Sequence, residues 1–210
     1  MKSTAPQMVA VSGPLVTKQK KVRNIKIKKG IKLLIFSDFL IYFGVGLTSP
    51  ILAVFIKDGL NSTIAMAGLA ATFFLIIRSV SQLVFSRIFN PEDRIKMILG
   101  GAVLIVLTPF IYAFSTNIQT LFLAQVIHGL GAGLAAPAWM SLFILNVNKK
   151  TAGFEWALYS TIIGIGMGLA AYLGGGLVGI WGFKPVFLIS GLLAILGMLV
   201  LFKVTKEKMK

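Results

Sequence analysis

Long apolar runs alternate with short polar joints along almost the whole chain. Each run is long enough to cross a bilayer as a helix, which takes about 20 apolar residues. The joints are only a few residues long, so consecutive helices are expected to be antiparallel neighbours. The predicted spans are Leu33–Ile56, Ala65–Ile88, Ile95–Phe114, Thr120–Val147, Gly153–Gly179 and Pro185–Phe202.

The composition fits a protein surrounded by lipid rather than by water. Hydrophobic residues make up 57% of the 210 residues, charged residues only 13%, and the mean hydropathy is +0.89. A soluble domain carries about 25% charged residues. We therefore predict an all-α polytopic membrane protein. Its transmembrane domain occupies residues 33–203, between a disordered basic cytoplasmic tail at 1–32 and a short basic C-terminus at 204–210.

The positive charges are distributed unevenly across the six predicted spans. The net charge is +15, and in a six-span arrangement 18 of the 21 Lys and Arg residues fall on one side. This is the positive-inside pattern, which predicts a cell-membrane protein with both termini in the cytoplasm. The same distribution argues against a nucleic-acid partner. Basic residues between Lys18 and Lys32 are expected to bind anionic lipid headgroups, at about 1 kcal/mol each near the surface.

A short glycine-rich motif occurs twice. Span 1 contains GVGLTSP (Gly44–Pro50) and span 4 contains GAGLAAP (Gly131–Pro137), 87 residues later. This spacing predicts a 3+3 inverted repeat of three-helix units. Proline removes a backbone donor and clashes with the carbonyl four residues earlier, so both motifs are expected to bend their helices. Whether the bends act as alternating gates or only shape the packing stays open. The bend residues are Gly46, Pro50, Gly133 and Pro137.

Charged, amide and histidine side chains occur in the bodies of only four of the six spans. The bodies of spans 3 and 6 contain no charged, amide or histidine side chain. Polar groups inside a membrane face protein or a water-filled cavity, so spans 1, 2, 4 and 5 are predicted to line a cavity and spans 3 and 6 to face lipid. The candidate cavity residues are Asp38, Tyr42, Ser49, Arg78, Gln82, Gln125, His128, Trp139 and Tyr159.

Arg78 is a permanent cation inside a predicted span. Burial of a lone arginine in hydrocarbon costs at least about 2.5–3.5 kcal/mol. Counting residues from the cytoplasmic ends places Arg78 and Asp38 at similar depths, which predicts an ion pair, with Glu155 as the second candidate partner. Such a pair either serves transport, by binding an anionic substrate group or exchanging partners, or only fixes helix packing.

Glycine pairs at four-residue spacing are expected to bring helices close together. Gly129 with Gly133, and Gly164 with Gly168, are small-xxx-small pairs of the kind found at membrane helix contacts.

Nothing in the chain indicates catalysis, a metal or a cofactor. The chain has one histidine and no cysteine, so it offers no thiolate ligand set and no nucleophile–base arrangement.

Three motifs together resemble the N-terminal half of a major facilitator superfamily transporter, over about residues 33–203. The joint between spans 2 and 3 reads SRIFNPEDRIK (Ser86–Lys96), in which Arg94 and Lys96 stand for the basic signature of the family. Span 4 reads QVIHGLGAG, with Gln125 in place of the family's arginine, and span 5 contains AAYLGG (Ala170–Gly175). The resemblance implies that spans 1, 2, 4 and 5 line a central cavity. It also implies secondary-active transport of a small solute by alternating access.

The chain has half the usual number of spans for that family, whose members carry two six-span halves around one site. A homodimer, a separate second half and a truncated reading are the three possibilities. The alternative function is a six-span membrane assembly or interaction protein without transport.

Overall fold

The computed structural model describes residues 28–206, and residues 1–27 and 207–210 lie outside the described part. It contains six long helices, and each is long and apolar enough to cross a membrane. A five-residue π-helical turn follows α1, and a short 3₁₀ turn precedes α3. The helices are α1 (Lys29–Val54), α2 (Ile64–Arg87), α3 (Arg94–Phe114), α4 (Ile118–Asn146), α5 (Ala152–Trp181) and α6 (Phe183–Lys206).

All six predicted spans agree with the observed helices to within four residues at each end. The largest differences are at the termini of the domain. Helix α1 begins at Lys29, so the last residues of the predicted tail are helical, and α6 continues to Lys206. The rest of the predicted basic tail, with its lipid-binding segment, falls mainly outside the described residues.

The turns between helices use the capping chemistry that their residues favour. The Thr63 side chain accepts from Met66 N at 3.3 Å, and the Asn117 side chain accepts from Thr120 N at 2.9 Å, so both satisfy free N–H groups at a helix start. Between α5 and α6, Gly182 has φ of 77°, a left-handed conformation that glycine adopts without steric penalty.

The packing of the helices is symmetric about the two repeat units, α1–α3 and α4–α6. Helix α2 packs on α4, and its counterpart α5 packs on α1. Helix α3 also packs on α4, its counterpart α6 on α1, and α3 and α6 pack on each other. Each relationship is preserved when α1, α2 and α3 are exchanged for α4, α5 and α6. This agrees with the inverted repeat predicted from the motif.

The first glycine of each motif lies against the third helix of the other repeat. A Cβ placed on Gly44 in α1 would lie 2.8 Å from the Ser190 carbonyl oxygen of α6. A Cβ on Gly131 in α4 would lie 2.8 Å from the Gly101 carbonyl oxygen of α3. Glycine at both positions therefore lets two helix backbones approach more closely than any larger residue would permit.

The second glycine of each motif lies against the middle helix of the other repeat. A Cβ on Gly46 would lie 2.8 Å from the Met167 carbonyl oxygen of α5, and a Cβ on Gly133 would lie 2.8 Å from the Arg78 carbonyl oxygen of α2. The repeated motif is therefore a packing device at each of its four glycines.

Of the two predicted glycine pairs, one packs and the other does not. A Cβ on Gly129 would lie 3.0 Å from the Phe74 carbonyl oxygen, so Gly129 and Gly133 both contact α2, as predicted. Gly164 and Gly168 do not bring two helices of this chain together, because both are exposed and have no neighbour within 4 Å among the described residues. The face of α5 that packs on α1 is displaced by two residues and carries Gly166 and Gly174.

Burial separates α2 and α5 from the other four helices. Only 11% of the most apolar part of α2 and 22% of that of α5 is buried, against 39–44% in the other helices. Helices α3 and α6 pack on each other, and they also pack on α4 and α1 respectively. The widest exposed apolar faces therefore belong to α2 and α5. The sequence predicted that both helices contribute polar side chains to a cavity. It did not predict that so much of their apolar surface is exposed.

Candidate functional site

Asp38 and Tyr159 connect α1 to α5 near the end of the bundle that contains the α4–α5 turn. The Tyr159 hydroxyl donates to Asp38 Oδ2 at 3.0 Å, and the aspartate is only 7% exposed. The sequence proposed both residues independently, and the structure brings them together.

Tyr159 belongs to a group of four aromatic side chains in mutual contact, called the aromatic cluster below. The ring of Trp139 lies 4.8 Å from that of Tyr159, and Trp156 lies 5.4 Å from Tyr159. The indole nitrogen of Trp139 is buried without a hydrogen-bond partner, although it lies close enough to Asp38 to act on its charge. The cluster consists of Trp139 and Phe143 of α4 and Trp156 and Tyr159 of α5.

Phe143 and Trp156 were missed in the sequence analysis. Each lies one helical turn from a predicted site residue, Phe143 four positions after Trp139 and Trp156 three before Tyr159. Side chains at these spacings share a helix face. That spacing, at the two ends of a short helical hairpin, is the signal that could have identified them.

A cavity of about 400 Å³ lies beside the aromatic cluster, between the end of α4 and the start of α5. Its walls are mainly apolar and include Met140, Ile144 and Trp156. Lys149, in the turn between the two helices, supplies the cationic side chain in the wall. The cavity can therefore hold an apolar group beside Phe143 and Trp156 of the aromatic cluster.

The predicted ion pair between Arg78 and Asp38 is not formed in this structure. Within residues 28–206, Arg78 makes no hydrogen bond or salt bridge, and Asp38 accepts from Tyr159 instead. Adjacency along the chain had suggested that α1 and α2 pack closely, but α2 packs on α4 and barely contacts α1. The similar depth of the two residues was therefore not enough to bring them into contact.

Glu155 does not pair with Arg78 either. It is 1% exposed and accepts from the Thr151 hydroxyl at 2.8 Å, in the first turn of α5. Its Oε1 also lies 3.4 Å from the Asn148 amide, so the carboxylate holds the α4–α5 turn and the helix N-terminus together.

Arg78 is half-buried on α2. Tyr42, one turn after Asp38 on α1, lies within electrostatic reach of both charged groups. Arg78 also acts on His128 of α4, whose ring lies 4.6 Å from that of Phe74.

Three predicted site residues are not brought into this group. Ser49 and Gln82 are exposed, and Gln125 is 3% exposed. None of the three makes a hydrogen bond within the described part of the chain. Their assignment to the cavity stays a prediction.

The signature residues of the joint between α2 and α3 have different roles. Arg94 Nε donates to Ser141 Oγ of α4 at 3.1 Å, and its guanidinium lies 6.0 Å from the Phe89 ring centroid, so Arg94 ties α3 to α4. Lys96 forms an exposed salt bridge with Asp93 at 2.7 Å.

The two motif prolines lie inside continuous helices. Helix α1 runs through Pro50 and α4 runs through Pro137. The gating role of these positions stays a prediction, whereas close packing explains Gly46 and Gly133 directly.

Comparison with known proteins identifies the family. A family model described as Major Facilitator Superfamily matches residues 34–210 of this chain. The quinolone resistance protein NorA of Staphylococcus aureus (strain Mu50 / ATCC 700699) is 30% identical over 149 residues, which cover 70% of this chain and 38% of NorA. The uncharacterized MFS-type transporter MJ1560 of Methanocaldococcus jannaschii is 22% identical over 175 residues, covering 83% of this chain and 45% of that protein.

The fold agrees with that of a solved member. A crystal structure of a peptide transporter POT mutant superimposes with a TM-score of 0.72 and 21% sequence identity, covering 85% of this chain and 38% of that chain. This chain spans less than half of the length of the relatives that it matches.

These comparisons confirm the resemblance and the fold class inferred from the sequence. The relatives are described as transport and resistance proteins rather than as enzymes, which agrees with the absence of a catalytic arrangement in the sequence. With the family match over residues 34–210 and the six-helix fold in agreement, the chain belongs to the Major Facilitator Superfamily.

Proposed function

We propose that the chain is one half of a secondary-active transporter that moves a small solute by alternating access. The observation that carries the proposal is the family match over residues 34–210. It is supported by the buried Asp38, which accepts a hydrogen bond from Tyr159 between two of the helices predicted to line the cavity. Ionisable groups inside a membrane are costly, and they commonly mark substrate or ion pathways.

The proposed direct test is uptake by the purified chain reconstituted in lipid vesicles. NorA is named for quinolone resistance, so a quinolone is the first solute to test. We expect uptake that depends on Asp38 and on Arg78, and an Asp58→Asn variant is the matched control because Asp58 is exposed after α1. Vesicles that bind no solute and transport none, with the chain folded, would favour the non-transport interaction protein.

The second half is proposed to dock along α2 and α5. Support comes from their large open apolar faces and from a stripe of small residues on α5. Gly164, Gly168, Gly175 and Gly179 all have no neighbour within 4 Å, so another helix backbone can approach closely there. Either a second copy of this chain or a separate six-span half fits this surface.

Cross-linking distinguishes these two partners. The chain contains no cysteine, so a single introduced thiol reports on one position. In a homodimer, a Gly168→Cys variant is expected to cross-link to a species of twice the 22.7 kDa chain mass. A Leu196→Cys variant, exposed on α6, is the control and should stay monomeric. A monomer at both positions would contradict the homodimer and leave a separate half as the partner.

Both termini are proposed to lie in the cytoplasm, on the basis of the Lys and Arg distribution. Cysteines introduced at Lys2 and Lys208 should be protected from impermeant thiol reagents in intact cells, and one at Asn61 should react. Reaction at both termini from outside would reverse the proposed orientation.

The basic N-terminal segment is proposed to bind the anionic lipid of the cytoplasmic leaflet. Support comes from its density of Lys and Arg between Lys18 and Lys32. A peptide of residues 1–32 should sediment with vesicles that contain anionic lipid and not with neutral vesicles, and the binding should weaken at high salt.

A further inference from the structure

The cavity of about 400 Å³ between the end of α4 and the start of α5 lies at the level of the membrane surface. Helices α4 and α5 have 29 and 30 residues, so each is about 45 Å long, about 15 Å longer than the hydrocarbon core of a bilayer. Their joined ends therefore extend into the headgroup region. The α4 residue in the cavity wall that is farthest from the turn is Met140, which lies about 9 Å before the end of α4.

The walls of this cavity are apolar although they lie at a level that water reaches. Met140, Ile144 and Trp156 are all exposed, and the ring of Trp156 meets that of Phe143 edge-on at 5.6 Å. An exposed apolar surface of this kind marks a site where another apolar group binds. Lys149, the cation in the wall, lies exposed in the turn, where water solvates its charge.

The first helix of the chain starts beside this cavity. Asp38 lies nine residues after the start of α1 at Lys29, and Tyr159 lies seven residues after the start of α5 at Ala152. Their hydrogen bond places the two residues at the same depth, so the two helix starts differ by only about 3 Å along the bundle. Helix α1 also packs on α5. The chain that precedes α1 therefore leaves the bundle next to the α4–α5 turn.

That preceding part of the chain contains an uncharged apolar segment. Residues 8–16 read MVAVSGPLV, and no residue from 3 to 17 carries a charge. The connection from 17 to 27 spans up to about 36 Å when it is extended, which is ample to reach a cavity beside the start of α1. A segment tethered at this distance has an effective concentration in the millimolar range.

We propose that residues 8–16 of this chain dock in the cavity, with their apolar side chains against Ile144, Phe143 and Trp156. The contact covers apolar surface that otherwise meets water. It buries no charge, and an uncharged segment is not repelled by Lys149. The inference goes beyond the transport proposal and does not depend on it, since it concerns a contact within the chain.

Disulfide cross-linking of the full chain tests the contact, because the chain contains no cysteine of its own. In lipid nanodiscs, a Val11→Cys/Ile144→Cys variant is expected to form its intramolecular disulfide about ten-fold or more faster than a Val11→Cys/Arg87→Cys variant. Arg87 is the matched control, since it is exposed where α2 ends, on the same side of the bundle, and lies outside the cavity. Equal rates would overturn the inference, because the segment would then contact the whole surface without docking.

A fluorescence measurement tests the same contact without cysteines. The chain has three tryptophans, so a Trp139→Phe/Trp181→Phe background leaves Trp156 as the single reporter in the cavity wall. Val11→Lys is expected to raise the quenching of Trp156 by acrylamide, because a charged side chain does not dock in an apolar cavity. Val22→Lys, in the basic segment, is the control and should leave the quenching unchanged. Equal quenching in both variants, with the helical circular dichroism retained, would contradict the docking.

Two other occupants of the cavity give different results. If a lipid acyl chain fills it, a brominated phospholipid quenches Trp156 equally with and without Val11→Lys, whereas the docked segment predicts stronger quenching in the variant. If a second copy of the chain fills it, the Val11→Cys/Ile144→Cys variant links two chains into a species of twice the 22.7 kDa mass. Either result would overturn the inference. Neither measurement involves a solute, so failure of the transport assay does not affect it.

Discussion

The interface between α1 and α5 and the interface between α4 and α2 are related by the internal repeat, yet they carry opposite chemistry. In both, the second glycine of the motif lies against a backbone carbonyl, Met167 in one and Arg78 in the other. The first interface holds the Asp38–Tyr159 hydrogen bond, whereas the second presents the Arg78 cation near His128.

The difference shows which features the two repeat units share. Where two helix backbones approach closely, only glycine fits, so both copies keep it. A side chain that does not lie between the two backbones meets no such steric limit. One interface is therefore free to carry a carboxylate and the other a guanidinium. The repeat is symmetric in backbone packing and asymmetric in charge.

The largest expected effect comes from adding a methyl group at the shared glycine. Gly46→Ala and Gly133→Ala should each lower the stability by about 2–3 kcal/mol, because the new Cβ would lie 2.8 Å from a backbone oxygen that cannot move freely. The measurement is thermal unfolding in mild detergent, followed by loss of helical circular dichroism.

The matched control for this substitution is Gly153→Ala in the first turn of α5, an exposed position outside the stripe of small residues proposed to dock the second half. It has no neighbour within 4 Å, so the stability should stay the same or rise by up to about 1 kcal/mol, since alanine favours a helix more than glycine does. A large loss at Gly46 and none at Gly133 would contradict the symmetry of the two interfaces.

A smaller effect is expected from the polar contact that only one interface has. Tyr159→Phe removes the donor to Asp38 and keeps the ring, so it should lower the stability by about 1–2 kcal/mol. Tyr42→Phe, on the same side of the bundle, loses no hydrogen bond within the described residues and should change the stability less. Equal losses for the two variants would show that the Tyr159–Asp38 bond is not the stabilising contact.

The smallest expected effect concerns the first glycine of each motif. Ser190 Oγ of α6 donates to the Gly44 carbonyl at 2.8 Å in a buried position, whereas the corresponding contact of Gly131 is with the Gly101 backbone. Ser190→Ala should lower the unfolding free energy by about 1 kcal/mol. Ser86→Ala, which removes an exposed bond to the Leu83 carbonyl, is the control and should have almost no effect. Comparable losses at both serines would remove this asymmetry between the repeats.

Most of the secondary structure could be predicted because it depends on local hydropathy. Each apolar run is close to the length of a membrane crossing, so the six helices and their approximate ends follow from the chain alone. The Asp38 and Tyr159 positions were also predictable, because polar residues are rare in such runs. Their contact with each other was not, since 121 positions separate them along the chain.

The errors have one physical origin, which is the choice of helix neighbours. The Arg78–Asp38 pair was expected because α1 and α2 are consecutive, and the Gly164–Gly168 contact was expected from spacing alone. In the structure α2 packs on α4 and α5 packs on α1, so Arg78 stays apart from Asp38 and Gly164 faces outward. Hydropathy is the same on a face that meets lipid, a second half or a neighbouring helix, so it cannot identify which glycines pack.

By itself the sequence determined that lipid surrounds the chain, that six helices are long enough to cross a membrane, and that two three-helix units repeat. It also determined the small set of polar residues from which a site could be built. These properties follow from composition and spacing, which act on each helix separately. Only the tertiary structure decided that the middle helix of each repeat packs on the first helix of the other repeat. That arrangement joins Asp38 to Tyr159, and among residues 28–206 it leaves Arg78 without a hydrogen-bond or ion-pair partner. The physical reason is that helix pairing depends on the fit of two surfaces, as at Gly46 against Met167, and this fit is a property of neither helix alone.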